Sequence, residues 1–136
     1  MNGYLLDTDV LSQLIKSKQN LLVIRRLSAL SKTQQFTSSV SMTEIFFGAY
    51  HSPQPIAYFK AIRERIIPNI QILLFDLKAA QNYGALRSRL ERRGRPLSQA
   101  DMMIAAIALA NDMVLATGNI RHFGRIPELK VEDWFS

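Results

Sequence analysis

The chain contains no cysteine. That excludes disulfides, zinc–thiolate centres and thiol nucleophiles, and it fits a reducing compartment. Long apolar runs are also missing: the longest, Met102 to Ala110, falls far short of the ~20 residues a membrane helix needs. The first residues carry no basic stretch followed by an apolar one, so no leader is read there. These absences give the expectation of a soluble, cytoplasmic protein with no membrane partner. Histidine is scarce, with only His51 and His122, and acids are few, with 11 Asp and Glu against 17 Lys and Arg.

What remains is a chain of 136 residues with 48% apolar side chains. The length predicts one domain, 1–136, and is enough to bury a core without a staple. The formal net charge is +6 and the isoelectric point is near 10.0. On a small domain such an excess of base favours polyanions, chiefly nucleic acid. The charge is also concentrated. Arg87, Arg89, Arg92, Arg93 and Arg95 fall in one short segment. Arg93 and Arg95, which lead through Pro96 and Leu97 towards Asp101, are the candidates for phosphate contact; the alternative is a solvated helix face with Glu91 in partial compensation.

Strand and helix patterns alternate along the chain. Tyr4-Leu5-Leu6 reads as a short buried strand, with Val10-Leu11-xx-Leu14-Ile15 starting a helix directly behind it. Asn20 is placed to cap a second helix with Leu21, Ile24, Leu27 and Leu30 as its apolar face. Phe36 to Val40 reads as the second strand, and Ser41-Met42-Thr43-Glu44 has the form of a capping box. After Pro53 and Pro55, a helix is expected from Ile56 to Ile67. Ile70 to Phe75 reads as a strand buried on both faces. Asp76 caps a long helix that Gly94 ends. Ser98 and Asp101 open an Ala-, Ile- and Met-rich helix with little polar face, expected at the centre of the fold. Met113 to Thr117 is the fourth strand, Ile120 to Phe123 one helical turn, and Leu129 to Asp133 a short edge strand packed down by Trp134. Tyr50, Tyr58 and Phe59 are assigned to the core rather than to a surface. The alternation argues for α/β architecture, a parallel sheet with helices on both faces. No repeat or low-complexity segment interrupts it.

Several of the scarce acids sit where strands meet helices. Asp7 ends the first strand, Glu44 lies at the start of the helix after the second, and Asp101 lies at the start of the helix before the fourth. Thr117 and Asn119 end the fourth strand. In a parallel sheet, the strands' C-terminal ends form the ligand-binding edge. Each acid has a bland reading: Glu44 as the acid of the capping box, Asp101 as an acid near a positive helix end, Asp9 as the N-cap of the first helix. Asp7 has no such role visible in the sequence. Three carboxylates aimed at one place repel unless a cation lies between them. Oxygen donors without Cys or nearby His select hard ions such as Mg²⁺ or Mn²⁺. Such an ion can activate water towards a phosphodiester. A basic protein with this cluster reads as a metal-dependent nuclease.

These residues resemble the PIN-domain ribonucleases, specifically the VapC-type toxins of prokaryotic toxin–antitoxin pairs. The resemblance rests on Leu6-Asp7-Thr8-Asp9-Val10-Leu11-Ser12, on Ser41-xx-Glu44-Ile45-xx-Gly48, on Leu97-Ser98-xx-Asp101-xx-Ile104-Ala105-Ala106, and on Leu115-Ala116-Thr117-Gly118-Asn119-xx-His122-Phe123. The four pieces occur in order and span essentially the whole chain. The resemblance implies a three-layer α/β/α sandwich with a central parallel sheet, and Mg²⁺- or Mn²⁺-dependent endoribonuclease activity on single-stranded RNA. It implies Asp7, Glu44 and Asp101 as the catalytic, metal-holding acids, with Asn119 standing where relatives often carry a further acid. Thr117 becomes a hydrogen-bonding neighbour of the metal ligands, and Asp9 a cap with a supporting role behind them. A cognate antitoxin and a homodimer are implied as partners beside the RNA substrate.

Two other classes fit parts of the same pattern. Asp7-Thr8-Asp9-Val10 matches the opening of haloacid-dehalogenase-like phosphohydrolases, with Asp7 as the nucleophile, but the later Lys and paired Asp of that family are missing. A catalytically impaired PIN-like binding module would explain Asn119 in place of an acid. His122 could contact substrate or act in proton transfer, but a surface or capping role accounts for it better.

Overall fold

The computed structural model describes residues 3–136. Five parallel strands form one sheet in the order β3-β2-β1-β4-β5. The strands are β1 (Tyr4–Leu6), β2 (Gln35–Ser38), β3 (Gln71–Leu73), β4 (Val114–Thr117) and β5 (Val131–Asp133). Helices α1 (Thr8–Leu11, continued by a 3₁₀ turn, Ser12–Leu14) and α2 (Leu21–Ser28) separate β1 from β2. Between β2 and β3 come α3 (Ser39–His51) and α4 (Pro55–Ala61), the latter continued by a π turn over Ile62–Ile66. Helices α5 (Leu77–Arg92) and α6 (Gln99–Ala110) precede β4, and α7 (Ile120–Phe123) lies between β4 and β5.

The three layers follow from the period of the strands. Leu5 and Leu115 point to one face and join a core with α5 and α6; Leu6 and Ala116 point to the other and join a core with α1, α2 and α3. Both faces of β1 and β4 are therefore covered, as parallel sheets require. Helix α6 is buried along Met102 and Ile104 to Ala108, which places it centrally as its composition predicts. Trp134 is buried against Tyr4, with ring centroids 5.5 Å apart, and closes the second core.

Helix starts are specified locally. Asn20 Oδ1 accepts from the amides of Leu22 and Val23, Asp76 Oδ1 from Ala79, and Ser98 Oγ from Asp101. Gly94 ends the α5 segment with φ +65°, a conformation open to glycine.

Several expectations are corrected. β3 is not buried on both faces: it is an edge strand with nothing paired beyond it among the described residues, and Ile72 and, just past its end, Leu74 are exposed. β2 ends at Ser38 rather than Val40, since Ser38 itself caps α3 by accepting from the Ser41 amide. The capping box expected at Ser41 and Glu44 therefore does not form. Leu21 and Ile56 lie on exposed helix faces; Val23, Leu27, Ile62 and Ile66 supply the buried ones. Tyr50 is 76% exposed, packing only edge-on against the half-buried Phe59.

Candidate active site

The sheet order fixes where a ligand can bind. Chain progression goes from β1 to β2 on one side and returns through β4 to the other, so the strand order reverses at β1. The crevice between the C-terminal ends of β1 and β4 is the topological switch point. Leu6 pairs with Ala116, and the Asp7 amide donates to Ala116 O at 2.9 Å, which sets Asp7 opposite Thr117.

Asp7 is 6% exposed. Its Oδ1 accepts from the Thr8 amide at 2.8 Å and its Oδ2 from the Thr117 hydroxyl at 2.7 Å. It is also the N-cap of α1, a role that sequence spacing assigns to Asp9. Burial pushes the Asp7 carboxyl up to about 7; the Thr117 and Thr8 hydrogen bonds oppose the rise, and the negative charges of Asp9 and Asp101 add to it. Asp9 lies inside the first turn of α1, and its Oδ2 accepts from the Gly118 amide at 2.9 Å. It ties α1 to the end of β4 rather than capping its own helix. Burial raises its pKa as well.

Glu44 stands in the second turn of α3, and its Oε1 accepts from the Thr8 hydroxyl at 2.6 Å. Thr8 thus links Asp7 to Glu44, donating its amide to one and its hydroxyl to the other. Asp101 approaches from the start of α6, and its Oδ2 lies 3.5 Å from His122 Nδ1. The side-chain nitrogen of Asn119 also meets His122 Nδ1, at 2.9 Å, and the Asn119 amide donates to Thr117 Oγ1 at 2.9 Å. Asp7, Thr117, Asn119, His122 and Asp101 consequently form one connected polar set, with Glu44 attached through Thr8.

The acids come together at one end of the sheet but do not form a ready cage. Among the described residues, no three His, Cys, Asp or Glu side chains converge as a metal-holding group. Glu44 is turned to Thr8 and Asp101 to His122. Still, among the described residues no Lys or Arg forms an ion pair with Asp7, Asp9, Glu44 or Asp101. In a chain of net charge +6 this edge is uncompensated. A buried carboxyl with like-charged neighbours suits a hard divalent cation, whose charge would offset the burial and the neighbouring acids that raise the pKa; the His122 imidazole beside Asp101 departs from the expectation of no nearby His.

Sequence reasoning missed Thr8. A hydroxyl between two acids is a weak signal, since which carboxylate it meets depends on how α3 sits over α1. Arg93 and Arg95 are exposed, and no hydrogen bond or ion pair engages either side chain among the described residues. Arg87 and Arg89 are instead paired, with Glu91 and Glu128. His51 stacks on Phe47 at the last turn of α3.

Comparison with known proteins bears on the family and the fold. The PIN domain family matches residues 4–129. The tRNA(fMet)-specific endonuclease VapC of Salmonella typhimurium is 34% identical over 134 residues, covering 98% of this chain and 99% of that protein. Ribonuclease VapC1 of Haemophilus influenzae is 31% identical over 137 residues, covering 96% and 97%. Among solved structures, DNA-bound VapBC from Salmonella typhimurium superposes with a TM-score of 0.89 at 32% identity, covering 98% of this chain and 99% of that one.

Proposed function

Because the chain belongs to the PIN-domain family and within it to the VapC ribonucleases, we propose that it is a divalent-cation-dependent endoribonuclease and the toxin of a toxin–antitoxin pair. The observation that carries this reading is Asp7. It is a buried carboxyl at the topological switch point, with Asp101 and Glu44 brought to the same sheet end and no basic side chain to neutralise them.

Asp7, Asp101 and Glu44 would hold the cation, with the side-chain oxygen of Asn119 at the rim of the same site. The oxygen-only donor set favours Mg²⁺ or Mn²⁺. When bound, such an ion supplies charge neutralisation on the phosphodiester and makes water a competent nucleophile near neutral pH. Thr117 and the Thr8 amide orient the two oxygens of Asp7. Thr8 holds Glu44 towards the same edge. His122 lies between Asp101 and Asn119 and would hydrogen-bond the substrate. Arg93 and Arg95 are free to bind RNA phosphates.

The Salmonella relative is a tRNA(fMet)-specific endonuclease and the Haemophilus one a ribonuclease by name, and the solved Salmonella neighbour is a DNA-bound VapBC. By extension, a cognate antitoxin would cover the acidic edge of this chain, and the toxin would act as a homodimer. The haloacid-dehalogenase reading is not favoured, since family and fold both point elsewhere.

The test is cleavage of labelled RNA, including initiator tRNA, with Mg²⁺, with Mn²⁺ and with EDTA. Wild-type protein cuts only with metal, and Asp7→Asn loses cleavage by at least about a hundredfold. Metal-independent cutting, or an Asp7→Asn protein as active as wild type, would sink the proposal.

A further inference from the structure

Beside the acids lies an open cavity of about 410 Å³ that the chemistry above does not use; Asp9, Gln13, Lys16, Gly118, Asn119 and Phe135 are among its walls. That volume is within the range of roughly 300–1,000 Å³ typical of small-ligand sites. It adjoins the reactive edge directly. Asn119 forms part of its wall, and the Asn119 amide donates to Thr117 Oγ1, whose hydroxyl donates to Asp7.

We propose that this cavity is a nucleotide subsite of the RNA strand, in which Lys16 contacts a phosphate neighbouring the scissile one, Phe135 stacks on the base, and Gln13 donates to an acceptor on the base edge. The proposal rests on the ribonuclease reading and names how that site takes its substrate.

Gln13 is the telling residue. It is 6% exposed, on the 3₁₀ turn after α1, yet it lines the cavity. Its Oε1 accepts from the Asn20 amide at 2.9 Å, which fixes the side-chain orientation, because an amide N–H can be met only by the oxygen. The opposite side of the same group, Nε2, donates to no acceptor among the described residues. Nε2 keeps some solvent access although the residue is buried, so at the cavity wall a ligand acceptor can take the place of water on this donor.

The other walls agree. Lys16 is exposed and makes no ion pair or hydrogen bond among the described residues. The one acid in the wall is turned inward: Asp9 Oδ2 is taken by the Gly118 amide, and Oδ1 is buried without a partner. The Phe135 ring lies so close over Gly118 that a Cβ there would meet it at 2.7 Å, which keeps the aromatic at the cavity wall. Aromatic stacking with one cation and one donor is how single-stranded nucleotides are held.

The experiment is fluorescence anisotropy with a labelled oligouridylate in EDTA, where no cleavage occurs and binding alone is read. Uracil offers two carbonyl acceptors to Gln13. Lys16→Ala, Phe135→Leu and Gln13→Glu (which keeps the oxygen for Asn20 and removes the donor) are each expected to weaken binding about fivefold or more. Lys60→Ala, an exposed cation on α4, stays within about twofold of wild type. In Mg²⁺, Lys16→Ala raises KM and leaves kcat within a few-fold. Thermal unfolding screens the variants, and Lys16→Ala, at an exposed position, keeps the test decisive. Wild-type affinity in all three cavity variants, or an equal loss in Lys60→Ala, overturns the subsite. A wild-type protein that binds RNA through the cavity but never cuts it would contradict the ribonuclease reading instead.

Discussion

Asp7 is held in an unusual state for a carboxyl. Its unfolded value is near 3.8, and burial lifts it to about 7. Between about pH 4 and pH 7 the folded metal-free chain keeps a proton that the unfolded chain has released, so stability falls as pH rises across that window and levels off above it. The loss is of order a few kcal/mol, since each pH unit between the folded and unfolded values is worth about 1.4 kcal/mol. Asp7→Asn removes the ionising group, so in EDTA the variant is expected to lose most of this slope and to melt above wild type at pH 8. Chemical denaturation at a series of pH values checks it. Thr117 works against the rise by donating to Oδ2 from a fully buried position. Thr117→Val keeps the shape and deletes the donor. The expected outcome is a midpoint for Asp7 above wild type by NMR titration, and lower cleavage at pH 7 with KM little changed. At this scale the positions of the candidate site residues were largely legible. Asp7, Glu44, Asp101, Asn119 and Thr117 could all be named because strand ends and helix starts are local patterns. The partners of each were not. Asp9 reads as a cap from its spacing, yet its carboxylate goes to Gly118, 109 positions away, and Glu44 goes to Thr8 instead of Ser41. Long-range hydrogen bonds leave no mark in sequence spacing.

At the scale of elements, the α3 start separates the two kinds of information. Three serines stand close together there, and the choice of cap depends on where β2 stops. β2 stops where its pairing with β1 and β3 runs out, which places the cap at Ser38. Ser41 Oγ is left buried with no partner. Ser38→Ala is therefore expected to cost about 1 kcal/mol, while Ser41→Ala is neutral or stabilising. Urea unfolding of the two variants side by side measures the difference; a loss in Ser41→Ala with Ser38→Ala neutral would put the cap at Ser41, and equal losses would contradict Ser38 as the cap. The same dependence on neighbours explains β3. Its apolar run resembles a central strand, but strand order is a tertiary property, and here it puts β3 at the edge with Ile72 and Leu74 exposed. Helices with strong local signals, capped at Asn20, Asp76 and Ser98, begin where their sequences say.

For the whole molecule, the sheet gathers a small acidic edge on a body of net charge +6. That contrast suits a polyanionic substrate whose scissile phosphate must approach carboxylates, which a divalent cation between them makes possible. RNA affinity should fall with salt, and replacing Arg93 and Arg95 together by Ala should reduce the slope of log affinity against log salt by about 0.7 per lost phosphate contact. A slope equal to wild type would remove these two residues from the RNA path. The central claim is that Asp7, with Asp101 and Glu44, forms a divalent-cation site. The most direct measurement is thermal unfolding of wild type and Asp7→Asn at pH 8 over a Mn²⁺ titration. An ion bound only by the folded state raises Tm with concentration. Wild type should climb steadily and overtake Asp7→Asn, whose Tm stays flat. A flat wild-type curve, or parallel curves for the two proteins, would contradict the account.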